Sequence, residues 1–306
     1  MTKVLIATVK PFAKAAVEQI KGIFDEAGYE FSFFEKYNNQ DELIEAVQDA
    51  DAIIIRSDKI TPEVIAAAKN LKIVVRAGAG YDNVNLEAAT AKGIVVMNTP
   101  GQNSNAVAEL ALGMMVYQMR NHFNGTSGTE LKGKKLGIHA YGNVGKNVAR
   151  IAKGFGMEVF AFDPFVPKET IEADGVTVFD TAEEMYANCD FVSLHIPANK
   201  QTIQSINFAL LSKMKKGATL VNTARKEVIH EDELLKIFEE NQDFCYISDI
   251  APDNRALIED KYADRCFFTP KKMGAQTAEA NINAGIAAAN QIIGYLNDGI
   301  TTFKVN

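Results

Sequence analysis

Short β-branched runs alternate with helical patterns from one end of the chain to the other, and that alternation leaves few folds open. Runs at Lys3–Thr8, residues 51–56 and Ile73–Arg76 are separated by helical patterns over 12–27 and 62–69, where Pro62 suits a first helical turn. A second series runs through Lys135–His139, Glu158–Phe162, 190–194, 218–221 and 244–249, each followed by a helix or loop of suitable length. Parallel neighbours need long return connections, so strands alternating with helices imply parallel sheets. The fold class is α/β, with two doubly wound parallel-sheet domains. A turn cluster at 98–101 precedes a long helical pattern over 103–120 and marks the boundary. The last helical pattern, 277–296, has no strand pattern after it and is free to return to the first unit. The expected division is a discontinuous domain, 1–98 plus 277–306, with 99–276 inserted in it.

Composition narrows the function. The 306 residues are 47% hydrophobic, enough for two medium cores, and the formal net charge of −7 argues against nucleic acid as a partner. A small anion remains compatible, because a few cations focused in a cleft suffice for it. The opening MTKVLIATVK turns polar at Lys10 and Pro11, too soon for a signal-peptide core. Residues 106–119 carry only Glu109 as a charge, yet fall short of the roughly 20 apolar residues that cross a bilayer. That stretch reads as a buried or interface helix, and it raises the expectation of a homodimer without membrane attachment. Cys189, Cys245 and Cys266 fit neither a disulfide framework nor metal-ligand spacing, which points to a reduced, cytoplasmic setting and no metal.

After the run Lys135–His139 the sequence reads Ala140, Tyr141, Gly142, Asn143, Val144, Gly145, then a helical pattern. This is the strand, turn and helix context of a dinucleotide site. Gly142 would let the backbone approach a pyrophosphate, and Gly145 would let the helix pack on the sheet. The first glycine is replaced by Ala140, so the tight turn has to tolerate a Cβ. Asp163 closes the next strand, 18 residues after Gly145, where an acid accepts hydrogen bonds from ribose hydroxyls. With no Arg directly after it, NAD is favoured over NADP. Two glycines after a strand can also make an ordinary turn; Asp163 lifts the reading above that.

Seven further segments, in this order and spacing, carry a resemblance: IRSDKIT at 55–61, RAGAGYDNVNLEAA at 76–89, NTPGQNSNAVAE at 98–109, LHIPANKQT at 194–202, LVNTARKEVIHEDELL at 220–235, SDI at 248–250 and TPKKMGAQTAEA at 269–280. Together they resemble the D-2-hydroxyacid dehydrogenase family over roughly residues 50 to 290. The resemblance implies a Rossmann-type NAD domain inserted in a flavodoxin-like substrate domain, and hydride transfer between NAD and C2 of a D-2-hydroxy acid. By position, Arg225 falls on the family's substrate-carboxylate Arg, a role that a planar guanidinium fills bidentately. The same matching implies pyrophosphate contacts at Asn143 and Val144, a cofactor lining of Pro197, Thr202, Thr223 and Ala224, a nicotinamide contact at Asp249, and Gly274 beside it. Amides at Ala79 and Gly80 would meet the substrate carboxylate.

One departure bears on mechanism. Where the family has its catalytic His, two residues before Gly274, this chain has Lys272, and its paired Glu falls on Asn254, with Asp253 adjacent. His122, His139, His195 and His230 lie in other segments and read as structural. Lys272 is therefore expected as the acid/base, with its pKa lowered by desolvation and by Arg225 and Lys271; Lys271 is the fallback. Arg56, Ser57, Arg76 and Asn103 match substrate-binding positions of the branch whose substrate is 3-phospho-D-glycerate, and Lys271 is a further candidate contact to the substrate anion. The expected partner is thus a small anionic 2-hydroxy or 2-keto acid bearing phosphate. Hydroxypyruvate or glyoxylate reduction is the alternative, and an NAD-binding corepressor, which the fold also resembles, is disfavoured by the acidic balance. The chain ends soon after the last helical pattern, so an appended regulatory domain is not expected.

Overall fold

Five segments of the first unit become strands: β1 (Lys3–Thr8), β2 (Glu30–Glu35), β3 (Ala52–Ile55), β4 (Ile73–Arg76) and β5 (Val95–Asn98). All pair in parallel, in the order β2-β1-β3-β4-β5. Helices α1 (Lys14–Glu26), α2 (Gln40–Ala46), α3 (Pro62–Ala67) and α4 (Leu86–Ala91) form the crossovers. The inner strands read AIII, IVVR and VVMN with almost every side chain buried, as a sheet covered on both faces requires. Thr61 caps α3 by accepting from Val64 N, with Pro62 in the first turn. Strand β2, EFSFFE, escapes a reading based on β-branched residues because its β-propensity is aromatic.

The second unit is a seven-stranded sheet. Its elements run α5 (Ser104–Met119), β6 (Lys135–His139), α6 (Asn143–Gly154), β7 (Glu158–Phe162), α7 (Lys168–Ala173), β8 (Thr177–Val178), α8 (Ala182–Asn188) and β9 (Phe191–Leu194). They continue with α9 (Phe208–Leu211), β10 (Thr219–Asn222), α10 (Glu231–Glu240), β11 (Cys245–Ser248), α11 (Arg255–Tyr262) and β12 (Cys266–Phe268). The order β12-β11-β10-β9-β6-β7-β8 is parallel throughout and reverses direction between β6 and β9. In open parallel sheets ligands bind at such a switch point, beyond the carboxyl ends of the strands. The apolar helix α5 buries Ala108, Ala111, Leu112, Met114 and Met115 in one core with Leu136, Val148 and Ile247. Its apolarity is thus accounted for inside the unit, and the homodimer expectation loses the argument that raised it.

The last helix, α12 (Ala278–Asp298), is capped by Thr277 and stops at left-handed Gly299. Ala284, Ala288, Ala289 and Ile292 pack with Ile20, Phe24 and Val75, so α12 shares a face of the first sheet with α1. No strand follows it, as expected, but the tail makes one isolated bridge. Lys304 bridges Met97 antiparallel, Val305 N donates to Val96 O at 2.9 Å, and the tail borders the exposed edge of β5. The computed structural model describes residues 1–306 and divides into Met1–Asn103 with Gln276–Asn306, and Ser104–Ala275. No helix is long and apolar enough to cross a membrane.

Candidate active site

The turn after β6 accepts alanine by adopting the glycine conformation. Ala140 has φ 79°, and its N–H donates to Phe162 O at 2.9 Å. Gly142 begins α6 with no side-chain cap, and Gly142 and Asn143 are exposed, so the first-turn amides around Val144 are available to an anion. Gly145 is needed for close packing, because a Cβ there would lie 2.5 Å from Ala140 O. Asp163, just past β7, accepts from Tyr141 N at 2.7 Å through one oxygen, and from Phe165 N and Val166 N at 2.8 and 3.2 Å through the other. Three amides therefore fix the acid beside the glycine turn.

The strain at Ala140 predicts a measurable effect. A left-handed alanine costs about 1 kcal/mol or more, against about 0.5–1 kcal/mol of extra unfolded-state entropy for glycine. Ala140→Gly should therefore leave stability unchanged or raise it by up to about 1 kcal/mol, and Ala140→Val should lower it by at least as much. Urea unfolding of the three proteins checks this; a valine variant as stable as wild type would contradict the strain.

Beyond β9 and β10 lie further residues of the expected cofactor lining. Thr202 Oγ1 donates to Pro197 O and accepts from Asn199 N at 2.9 Å, closing the loop between them. Thr223 and Ala224 are nearly buried, and Thr223 Oγ1 has no hydrogen-bond partner, which leaves a polar atom for a bound group. The Asn222 side chain accepts from Ala224 N and donates to Arg225 O, both at 2.9 Å, so the turn carrying Arg225 is rigid. Arg225 itself is half-buried and donates from Nη1 to Ala224 O at 2.9 Å. The uncapped helix start, the fixed Asp163 and the orphaned Thr223 hydroxyl fit a dinucleotide.

Asp249 has a structural role that the sequence reading did not anticipate. Its side chain is fully buried. One carboxylate oxygen accepts from Thr269 Oγ1 at 3.0 Å and Met273 N at 2.7 Å, and the other from Gly274 N at 2.7 Å. Thr269 Oγ1 also contacts Lys271 O at 2.9 Å. The segment 269–274 is thus wound around one buried carboxylate, which presents Lys271 and Lys272 outward. Gly274 is buried too, and a Cβ there would sit 3.0 Å from Asp249 Oδ2, so its glycine serves this anchor. This role leaves no sequence signal, since donors and acceptor are 20 and more residues apart.

Lys272 and Lys271 are both exposed, so burial does not supply the desolvation expected for a lysine base. Asn254 precedes α11, with Nδ2 toward Glu231 O at 3.4 Å and Oδ1 buried without a partner. Asp253 does not take its place: it is exposed and paired with Lys226 at 2.5 Å. Glu231, which the sequence reading missed, accepts from Asp253 N at 2.8 Å and holds this corner, and burial raises its pKa. Two of the four histidines are spent elsewhere. His139 and His195 lie on adjacent strand ends, bonded to Tyr186 and Ser193, and burial lowers their pKa values to about 4 and about 3.

In the first unit, Arg56, Arg76 and the loop through Ala79 and Gly80 follow β3 and β4 at the carboxyl edge of the sheet. Arg56 is partly buried, which lowers its pKa, and Nη1 donates to Lys10 O and Pro11 O at 2.9 and 3.1 Å. Nη2 bonds the Asn281 side chain, and the guanidinium stacks on Phe12 at 5.2 Å. Arg56 is therefore a staple of the β1 loop as well as a cation at the edge. Arg76 folds back over Gly78, and Ala79 O accepts from Asn98 Nδ2 at 2.6 Å. Ser57 and Ala79 are exposed, and Asn103 closes the unit just before α5.

Sheet order, uncapped helix start and tethered acid define the second unit as a dinucleotide-binding domain of the dehydrogenase type. Residues 104–270 match the family model "D-isomer specific 2-hydroxyacid dehydrogenase, NAD binding domain". A D-3-phosphoglycerate dehydrogenase of Methanocaldococcus jannaschii is 36% identical over 285 residues, 87% of this chain and 54% of that protein. A hydroxypyruvate reductase of Thermotoga maritima is 35% identical over 83% of this chain and 87% of its own. The crystal structure of NAD+-bound 3-phosphoglycerate dehydrogenase from Entamoeba histolytica aligns with TM-score 0.90 and 45% identity, covering 100% of this chain and 98% of that one. The chain belongs to the D-isomer specific 2-hydroxyacid dehydrogenase family, and its second unit is an NAD-binding domain. It spans about half the length of the curated phosphoglycerate dehydrogenases it matches.

Proposed function

We propose that this chain is an NAD-dependent dehydrogenase that interconverts 3-phospho-D-glycerate and 3-phosphohydroxypyruvate. The observation that carries the substrate is the 45% identity, over the whole chain, to a 3-phosphoglycerate dehydrogenase. Arg56 and Arg76 at the carboxyl edge of the first sheet support it, since a phosphate dianion needs converging cations. Bound NAD supplies the hydride acceptor. Arg225, held by its rigid turn, grips the substrate carboxylate and orients C2. In oxidation, the neutral Lys272 amine takes the hydroxyl proton as the C2–H bond breaks and the carbonyl forms; in reduction, its ammonium returns that proton. The buried Asp249 keeps the lysine segment in place, and Asn254 Oδ1 is an acceptor for the amine's N–H in either state.

The Thermotoga maritima relative favours a second reading, reduction of hydroxypyruvate. NADH consumption with 3-phosphohydroxypyruvate, hydroxypyruvate and glyoxylate separates the two. The proposal expects the highest kcat/KM with the phosphorylated acid; a preference for hydroxypyruvate of tenfold or more, about 1.4 kcal/mol in transition-state binding, would reverse it.

A further inference from the structure

We propose that Asp58 is a positioning residue for the anion-binding end of the first unit, locking the loops after β1, β2 and β3 so that the Arg56 guanidinium is held in place. The inference rests on the reading above that Arg56 meets a substrate phosphate. Asp58 is only 7% exposed, just beyond β3. Oδ1 accepts from Val9 N and from the Tyr37 hydroxyl, both at 2.7 Å, and Oδ2 accepts from Arg56 N at 3.2 Å. One carboxylate thus joins three loops that leave neighbouring strands at their carboxyl ends, where open parallel sheets bind ligands.

Asp58 and Arg56 work as a two-handed grip. The acid takes the Val9 N–H, and the guanidinium takes the next two carbonyls, Lys10 O and Pro11 O. Asn83 Nδ2 pins the grip from outside through Arg56 O at 3.3 Å and Asp58 O at 2.7 Å. Closing three loops does not of itself demand a charge, and burying one is costly. A carboxylate is the side chain that receives three donors while offering none, and it places a negative charge beside the arginine it orients. Burial and the bond to Asp58 raise the Tyr37 pKa, so its hydroxyl stays a donor.

Asp58→Asn keeps the shape but turns one acceptor into a donor facing an N–H. For 3-phosphohydroxypyruvate, KM should rise about tenfold or more with kcat changed less than about twofold, the mark of a displaced binding group. Tyr37→Phe removes one bond only and should move KM the same way by a smaller factor, which keeps the test open if Asp58→Asn folds poorly. A purely structural Asp58 would instead lower kcat through lost active protein and leave KM unchanged, and that result overturns the proposal. Hydrogen exchange without substrate reads the grip independently of substrate identity. Amides in residues 9–13 should exchange about tenfold faster in Asp58→Asn, while Ile73–Arg76 does not change. Unchanged exchange at 9–13 rejects the grip even if the enzyme prefers another acid, whereas faster exchange with no KM effect rejects the role in substrate binding.

Discussion

Lys272→Ala should lower kcat by about 10²–10⁴-fold, the range lost when a general acid/base is removed, while NADH still binds. The expectation rests on what surrounds the lysine. Two of the four histidines are committed elsewhere: His139 and His195 are held by Tyr186 and Ser193 and kept neutral by burial. Asp249 binds the amides of Met273 and Gly274, so Lys272 lies one residue from a rigid anchor. Lys271 has its carbonyl tied to Thr269, and Lys271→Ala should affect KM more than kcat. The pair of variants, compared in steady-state rates and in NADH titration by fluorescence, locates the proton-transfer group. A Lys272→Ala enzyme within tenfold of wild type, with Lys271→Ala inactive, would move the role by one residue.

Replacement of Asp249 should be nearly as damaging, through structure rather than chemistry. Asp249→Ala strands the Met273 and Gly274 amides, while Thr269 Oγ1 keeps Lys271 O, and should cost about 3 kcal/mol of stability. Asp249→Asn is the sharper variant. One oxygen faces Met273 N and the other Gly274 N, so either orientation of the amide puts a donor against an N–H. Its kcat should fall by an order of magnitude or more under conditions where the protein is folded, because the lysine segment is no longer held. Urea unfolding combined with kcat at low temperature separates the two effects. Full activity in Asp249→Asn would mean that the segment keeps its place without the carboxylate.

Much of the fold was legible because the side chains that make the sheets are local in sequence. AIII and IVVR are buried on both faces and announce parallel strands, and the helix behind Gly142 announces itself by a strand, a turn and a glycine that packs. EFSFFE was missed because its strand character is aromatic, and the tail after α12 because a pairing of Lys304 with Met97 has no local signature. The apolarity of α5 suggested a partner but is absorbed by the core around Leu136 and Ile247. At the site, the identity of the polar groups was readable and their partners were not. Asp249 and Arg56 were readable as candidate ligand contacts, but not the amides that Asp249 anchors nor the Lys10 and Pro11 carbonyls that Arg56 staples; Asp58 attracted no notice and joins three loops. In each case the partner lies some 20 to 50 residues away, and only the folded chain brings it near.

The most direct test of hydride transfer at C2 uses NADH deuterated at the transferring position of C4, with 3-phosphohydroxypyruvate as acceptor. Mass spectrometry and chiral separation of the product should find 3-phospho-D-glycerate carrying deuterium at C2. Product without deuterium, product of the L configuration, or intact deuterated NADH after prolonged incubation with every 2-keto acid offered would contradict the account.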